Sequence, residues 1–204
     1  MHIELLVEES SAEEALNVIL PRILGSGHTF KVYPHQGKTN LLQVLPQRLR
    51  TYQAMFRTGW DNCRIAVLLD RDGDDCRELK RRVDAMAAEA GLSTKSKPEG
   101  SRFVTLNRIA VEELEAWFFG DQQAILKAYP NLEGKKLRWP AGPDSIRGGT
   151  WESLERLLQR GGYHKSGYPK VSGAHRIAEH MDPKTNRSPS FQNFRDGLLA
   201  LANS

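Results

Sequence analysis

Ile65-Ala66-Val67-Leu68-Leu69-Asp70-Arg71-Asp72 is a short, branched-rich apolar run that ends on a pair of carboxylates. Near the N-terminus, Leu5-Leu6-Val7-Glu8-Glu9-Ser10-Ser11 is a second apolar run ending on a carboxylate. Both are bounded by polar residues and read as buried strands. In an open α/β sheet the carboxyl ends of neighbouring parallel strands open onto one crevice. Glu8, Asp70 and Asp72 are therefore expected to converge although they lie far apart in the chain. Carboxylates crowded in this way repel one another unless a cation sits between them. An all-oxygen ligand set favours Mg²⁺ or Mn²⁺.

Working outward, Ser10-Ser11-Ala12-Glu13-Glu14 opens a helix with a serine cap and acids in its first turn. Ala15, Leu16, Ile19, Ile23 and Leu24 carry it to Gly25 and Gly27. Thr29–Tyr33 alternates as a second strand, and His35–Lys38 reads as a turn. Thr39 is expected to cap a helix marked by Leu41, Leu42, Leu45 and Leu49. A helix from about Asp74 to Ala90 follows the Ile65–Leu69 strand, and Arg102–Leu106 reads as a further strand. Strand and helix alternate, which predicts a parallel sheet flanked by helices. Residues 1–110 form this α/β core. Residues 111–204 form a mainly helical extension packed on it, with helices at Val111–Phe119, Asp121–Tyr129, Trp151–Leu158, Ser172–His180 and Phe191–Leu201. Pro130 interrupts the second of these.

A chain of 204 residues can bury one sizeable core. Its 39% hydrophobic and 26% charged residues fit a soluble globular protein. No apolar stretch approaches the roughly 20 residues that span a bilayer, so no membrane association is expected. Met1-His2-Ile3-Glu4 lacks the features of a signal peptide, and a cytoplasmic location is the default. Cys63 and Cys76 have neither metal-ligand spacing nor a dense disulfide pattern. The net charge is +4, compatible with nucleic acid as a partner. Its distribution says more. Beyond Arg138 come Arg147, Arg156, Arg160, Lys165, Lys170, Arg176, Lys184, Arg187 and Arg195 against few acids. An acidic metal pocket beside a basic surface suits a phosphodiester.

Each candidate has a plainer reading. Asp72-Gly73 is good turn chemistry, Glu8 could serve a helix start, and Asp74 and Asp75 suit the cap of the next helix. Glu112, Glu113 and Glu115 flank a buried stripe of Leu114, Trp117 and Phe118. One of them is either a further ligand or general base, or the three form a solvated acidic face. Gly37-Lys38-Thr39 lacks the upstream glycine of a phosphate loop, which excludes a nucleotide triphosphatase. Lys38 at a helix N-terminus can still contact a phosphate. Arg147-Gly148-Gly149-Thr150 and His164-Lys165 either hold phosphates or are ordinary loops. No Ser-His-Asp or Cys-His triad is supported.

Val7-Glu8-Glu9-Ser10-Ser11, Leu69-Asp70-Arg71-Asp72 and Glu113-Leu114-Glu115-Ala116-Trp117 resemble, in order, the motifs of the Toprim-like family catalogued as DUF4276. Ile146-Arg147-Gly148-Gly149-Thr150-Trp151-Glu152 and the Asp182-Pro183…Asn186-Arg187-Ser188 region are similar to that family too. The resemblance implies a Toprim fold, related to the domains of topoisomerases, primases and overcoming-lysogenization-defect nucleases. It also implies Mg²⁺-dependent phosphodiester chemistry, with Glu8, Asp70 and Asp72 at the matching positions. Members look like partners of ABC-type ATPases in bacterial anti-phage defence, and the resemblance extends that expectation to this chain. Those nucleases place a second acid four residues after the glutamate, where this chain has Ala12. No tyrosine nucleophile matches, which argues against topoisomerase-type strand passage.

The resulting expectation is a metal-dependent nuclease of DNA or RNA. Glu8, Asp70, Asp72 and Glu115 would be catalytic, and Glu8, Asp70, Asp72 and Glu113 would hold Mg²⁺ or Mn²⁺. Lys38, Arg147, Lys165 and Arg187 would bind the nucleic acid backbone. The rival, favoured by Ala12, is a regulatory or docking subunit of an ATPase complex that keeps the fold without the chemistry. A primase-like nucleotidyltransferase lacks any separate nucleotide-binding module here. Assembly into a homo-oligomer is left open.

Overall fold

A computed structural model describes residues 1–204. Four parallel strands, β1 (His2–Val7), β2 (Thr29–Pro34), β3 (Cys63–Asp70) and β4 (Thr105–Ala110), form one sheet in the order β2-β1-β3-β4. β1 and β3 are central. They are buried on both faces, which is why they read as unbroken apolar runs, while edge strand β2 is largely open to solvent.

The connections decide which face each helix covers. α1 (Ser10–Leu24) carries the chain from β1 outward to β2. α2 (Gly37–Arg57) returns it past β1 to β3, and α3 (Cys76–Glu89) continues to β4. Because crossovers are right-handed, this reversal of direction moves the helices to the opposite face. Ile3, Leu5, Val7, Ala66, Leu68 and Leu106 accordingly pack with α1. Leu6, Ile65, Val67, Leu69 and Ile109 pack with the leucines of α2 and with Leu79 and Val83 of α3. The reversal falls between β1 and β3, so the crevice beyond their carboxyl ends is the switch point where open α/β sheets bind ligands.

The remaining helices are α4 (Glu115–Phe119), α5 (Gln122–Ala128), α6 (Thr150–Arg160), α7 (Lys170–Ala178) and α8 (Pro189–Ala202). They share the α1-side core: Trp117, Tyr129, Phe191 and Phe194 are fully buried there. The Trp117 ring meets Phe191 edge-on at 5.2 Å, and its Nε1–H donates to Ser190 Oγ at 3.0 Å. No helix is long and apolar enough to cross a membrane. Both cysteines are free.

Several boundaries differ from the periodicity. The last strand lies at Thr105–Ala110 rather than around 102–106. Its polar Asn107 and Arg108 hide the pattern, yet both find partners, in Asp84 Oδ1 at 2.8 Å and the Asn193 carbonyl at 3.0 Å. The helix expected over 111–119 is regular only from Glu115, and α2 starts at Gly37 instead of Thr39. At α3 the cap is Asp75, which accepts from the Glu78 amide at 2.8 Å, while Asp74 turns to another partner.

A carboxylate cluster at the sheet switch point

Glu8 is the first residue beyond β1, and its neighbour Glu9 occupies the N-cap position of α1. Its side chain turns inward, 8% exposed, and Oε1 accepts the backbone N–H of Asp70 at 2.7 Å. Asp70 ends β3, directly across the switch point. Asp72 reaches the same crevice by a different route from strand alternation. β3 stops at Asp70, and Asp72 takes a left-handed turn conformation with φ 49°. That turn is fixed by its N–H, which donates to the Glu112 carbonyl at 2.9 Å. Aspartate tolerates this conformation better than most residues.

Electrostatics show how closely the acids crowd. Burial pushes the Glu8 carboxyl up to about 7, helped by Asp72 and Glu9 and opposed by the Asp70 amide and Lys38. Burial also raises Asp70 well above the usual aspartate range, with the charges of Glu8, Glu115 and Asp72 adding to it. Glu115, the first residue of α4, is 2% exposed and is raised to about 7, chiefly by burial and with Lys170 opposing. Its Oε1 is buried without any hydrogen-bond partner. An unpaired buried carboxylate oxygen is costly.

The two other glutamates of that segment are engaged elsewhere. Glu112 pairs with Arg71. Glu113, expected beside the metal, holds the start of α6: its Oε2 accepts from the Thr150 amide at 3.0 Å, the Trp151 amide at 3.1 Å and the Thr150 hydroxyl. The amides that follow Arg147-Gly148-Gly149 are thus taken by Glu113 rather than left for a phosphate. Arg147, Lys165 and Arg187 are exposed. Lys38 is not exposed. Its ammonium lies 2.7 Å from Asp72 Oδ2 and 2.8 Å from Asp74 Oδ2.

Two neighbours of Glu115 carried no distinguishing signal in the sequence. Lys170 opens α7, stands 5.0 Å from the centre of the Trp151 ring, and lowers the pKa of Glu115 by its charge. The Tyr168 hydroxyl is buried without a partner, and burial followed by the Glu115 charge raises its pKa. A loop tyrosine and one lysine among many are set apart only by tertiary contact.

The donor set consists of oxygens, and its mutual repulsion together with the orphaned Glu115 oxygen fits a hard divalent cation. No group of three or more acids, histidines or cysteines is placed so as to hold a metal ion: Asp72 pairs with Lys38, and one Glu8 oxygen is bound to the Asp70 amide.

The family described as "Domain of unknown function (DUF4276)" matches residues 7–199. The chain belongs to that family. Two crystal structures of the C-terminal region of the Xanthomonas campestris pv. campestris OLD protein are similar to it. The one phased with iodine is 17% identical, with 98% of this chain and 94% of that one covered, at a TM-score of 0.45. The one phased with mercury is 19% identical, with 99% and 98% covered, at a TM-score of 0.41. No curated protein matches the chain.

Proposed function

We propose that this DUF4276 member is a Toprim-type nuclease that hydrolyses phosphodiester bonds of DNA or RNA with Mg²⁺ or Mn²⁺. The observation that carries the reading is the burial of Glu8, Asp70 and Glu115 near the switch point, each with its pKa raised by burial and Asp70 feeling the charges of both glutamates. Perturbed carboxyls in a crevice mark functional sites more often than structural ones. A bound divalent cation supplies Lewis-acid stabilisation of the phosphoryl oxygens and lowers the pKa of water.

In this reading Glu8, Asp70 and Asp72 hold the cation. Glu115, with its carboxyl raised to about 7, can take or return a proton near neutrality. Glu115 does so through an oxygen that has no competing partner. Exposed Arg147, Lys165 and Arg187 hold the strand through its phosphates without reading bases. A bacterial anti-phage role beside an ABC-type ATPase is the setting that the motif resemblance supports.

The test is incubation of the purified chain, alone and with any ATPase encoded beside it, with plasmid, single-stranded DNA and tRNA in Mn²⁺. Cleavage lost in Asp70→Ala is expected. A second reading, a docking subunit without chemistry, is favoured by Ala12, which is buried in the α1 core where the related nucleases carry an acid. Absent cleavage under all those conditions selects it.

A further inference from the structure

A cation already stands in the acidic crevice, and it belongs to the chain. Lys38 lies in the first turn of α2, with its side chain only 15% exposed. Its ammonium meets Asp72 Oδ2 at 2.7 Å, Asp74 Oδ2 at 2.8 Å and the Arg71 carbonyl at 3.0 Å. Those oxygens match the three donors that an ammonium carries.

The core-facing stripe of α2 is Leu41, Leu42, Leu45 and Leu49, and Lys38 lies outside it. The turn at Asp72 is held by its own backbone N–H. The ammonium neutralises Asp72, and Asp72 does not form a metal-holding group with Glu8 and Asp70. The buried Glu115 Oε1 still lacks a partner. A flexible four-carbon stem carrying a compact charge suits a group that must move a short way. Asp74, the other carboxylate on the ammonium, would retain it when Asp72 lets go.

We infer that Lys38 is a resident counter-ion that a divalent cation displaces from Asp72, and that the displaced ammonium then meets a phosphate of the bound strand. Metal and nucleic acid thereby bind cooperatively. Linkage requires the effect to be reciprocal: each raises the affinity of the other by the same factor. The inference rests on the metal-dependent phosphodiester reading and adds a means of keeping the site shut until metal arrives.

The experiment compares the full chain with Lys38→Met, and with Lys38→Gln should the first variant not fold. Calorimetry with Mn²⁺ reads metal affinity, and fluorescence anisotropy of an oligothymidylate reads strand binding with and without Ca²⁺. The lysine variants should bind Mn²⁺ about fivefold or more tightly than wild type, the low end of ordinary coupling energies. Ca²⁺ should tighten oligothymidylate binding in wild type and lose that effect in the variants. Equal or weaker Mn²⁺ affinity in the variants overturns the inference and leaves the proposed function standing. Failure of wild type and variants alike to bind Mn²⁺ overturns both.

Discussion

The backbone N–H of Asp70 donates to Oε1 of Glu8 at 2.7 Å, so the last residue of β3 is bonded to the first residue beyond β1. This bond crosses the switch point of the sheet and sets the depth at which both carboxyls sit. It leaves the other Glu8 oxygen and the Asp70 carboxylate to share the crevice. Their repulsion is the property from which the metal predictions derive.

Replacing Asp70 by alanine should weaken Mn²⁺ binding at least about tenfold, about 1.4 kcal/mol. The same change should raise the melting temperature of the metal-free protein, because it removes a buried charge that repels Glu8 and Glu115. Calorimetry and thermal denaturation check the pair of effects. Equal Mn²⁺ affinity in wild type and variant would contradict the assignment.

Stability without metal should depend on pH in an unusual direction. Glu8 and Glu115 have folded-state pKa values raised from 4.5 to about 7. Between those limits the folded state binds more protons than the unfolded one, so stability falls as pH rises. The contribution is fully present below about pH 4.5 and lost through pH 7, on the order of 1–3 kcal/mol for each group. Melting curves in chelator from pH 5 to 8 should show this decline, and Glu8→Gln should flatten it. Mn²⁺ should raise the melting temperature more at pH 8 than at pH 5.

Glu113 makes an opposite kind of prediction. Its carboxylate holds the amides of Thr150 and Trp151 at the start of α6. Glu113→Ala should cost roughly 1–2 kcal/mol in denaturant unfolding, the scale of a lost helix cap. Mn²⁺ affinity should stay within about twofold, on the scale of coupling energies. A large loss of metal affinity with unchanged stability would return Glu113 to the ligand set.

Nucleic acid binding should be electrostatic and blind to sequence. Removing the charge of Arg147, Lys165 or Arg187 one at a time should lower the salt slope of log K by about 0.7–0.9 each. Asp72→Ala should spare binding while abolishing cleavage. Filter binding over a range of salt checks the first expectation, and a plasmid cleavage assay in Mn²⁺ checks the second. Cleavage or toxicity that persists undiminished in Asp72→Ala places the nuclease site elsewhere.

The central strands and the positions of Glu8 and Asp70 were legible in the sequence for a physical reason. A parallel strand buried on both faces must be apolar along its length, so its end stands out as the first charged residue. The alternation of such strands with helices predicts the parallel α/β sheet with helices around it, which the strand order confirms. The edge was harder to read. Arg108 in β4 finds its partner on α8, outside any local pattern.

Tertiary structure alone decided the fate of the other acids. Glu112, Glu113 and Glu115 stand within four positions of one another, yet one pairs with Arg71, one holds α6 and one is buried unpaired beside Asp70. Spacing cannot distinguish them, because each role is set by what a distant segment brings: Arg71, Thr150 or the end of β3. The same holds for Lys38, whose partners Asp72 and Asp74 lie more than thirty residues away. Hydrophobic periodicity reports which face of an element is buried. The pairing of charges depends on distances across the fold, and those exist only once the sheet has been assembled.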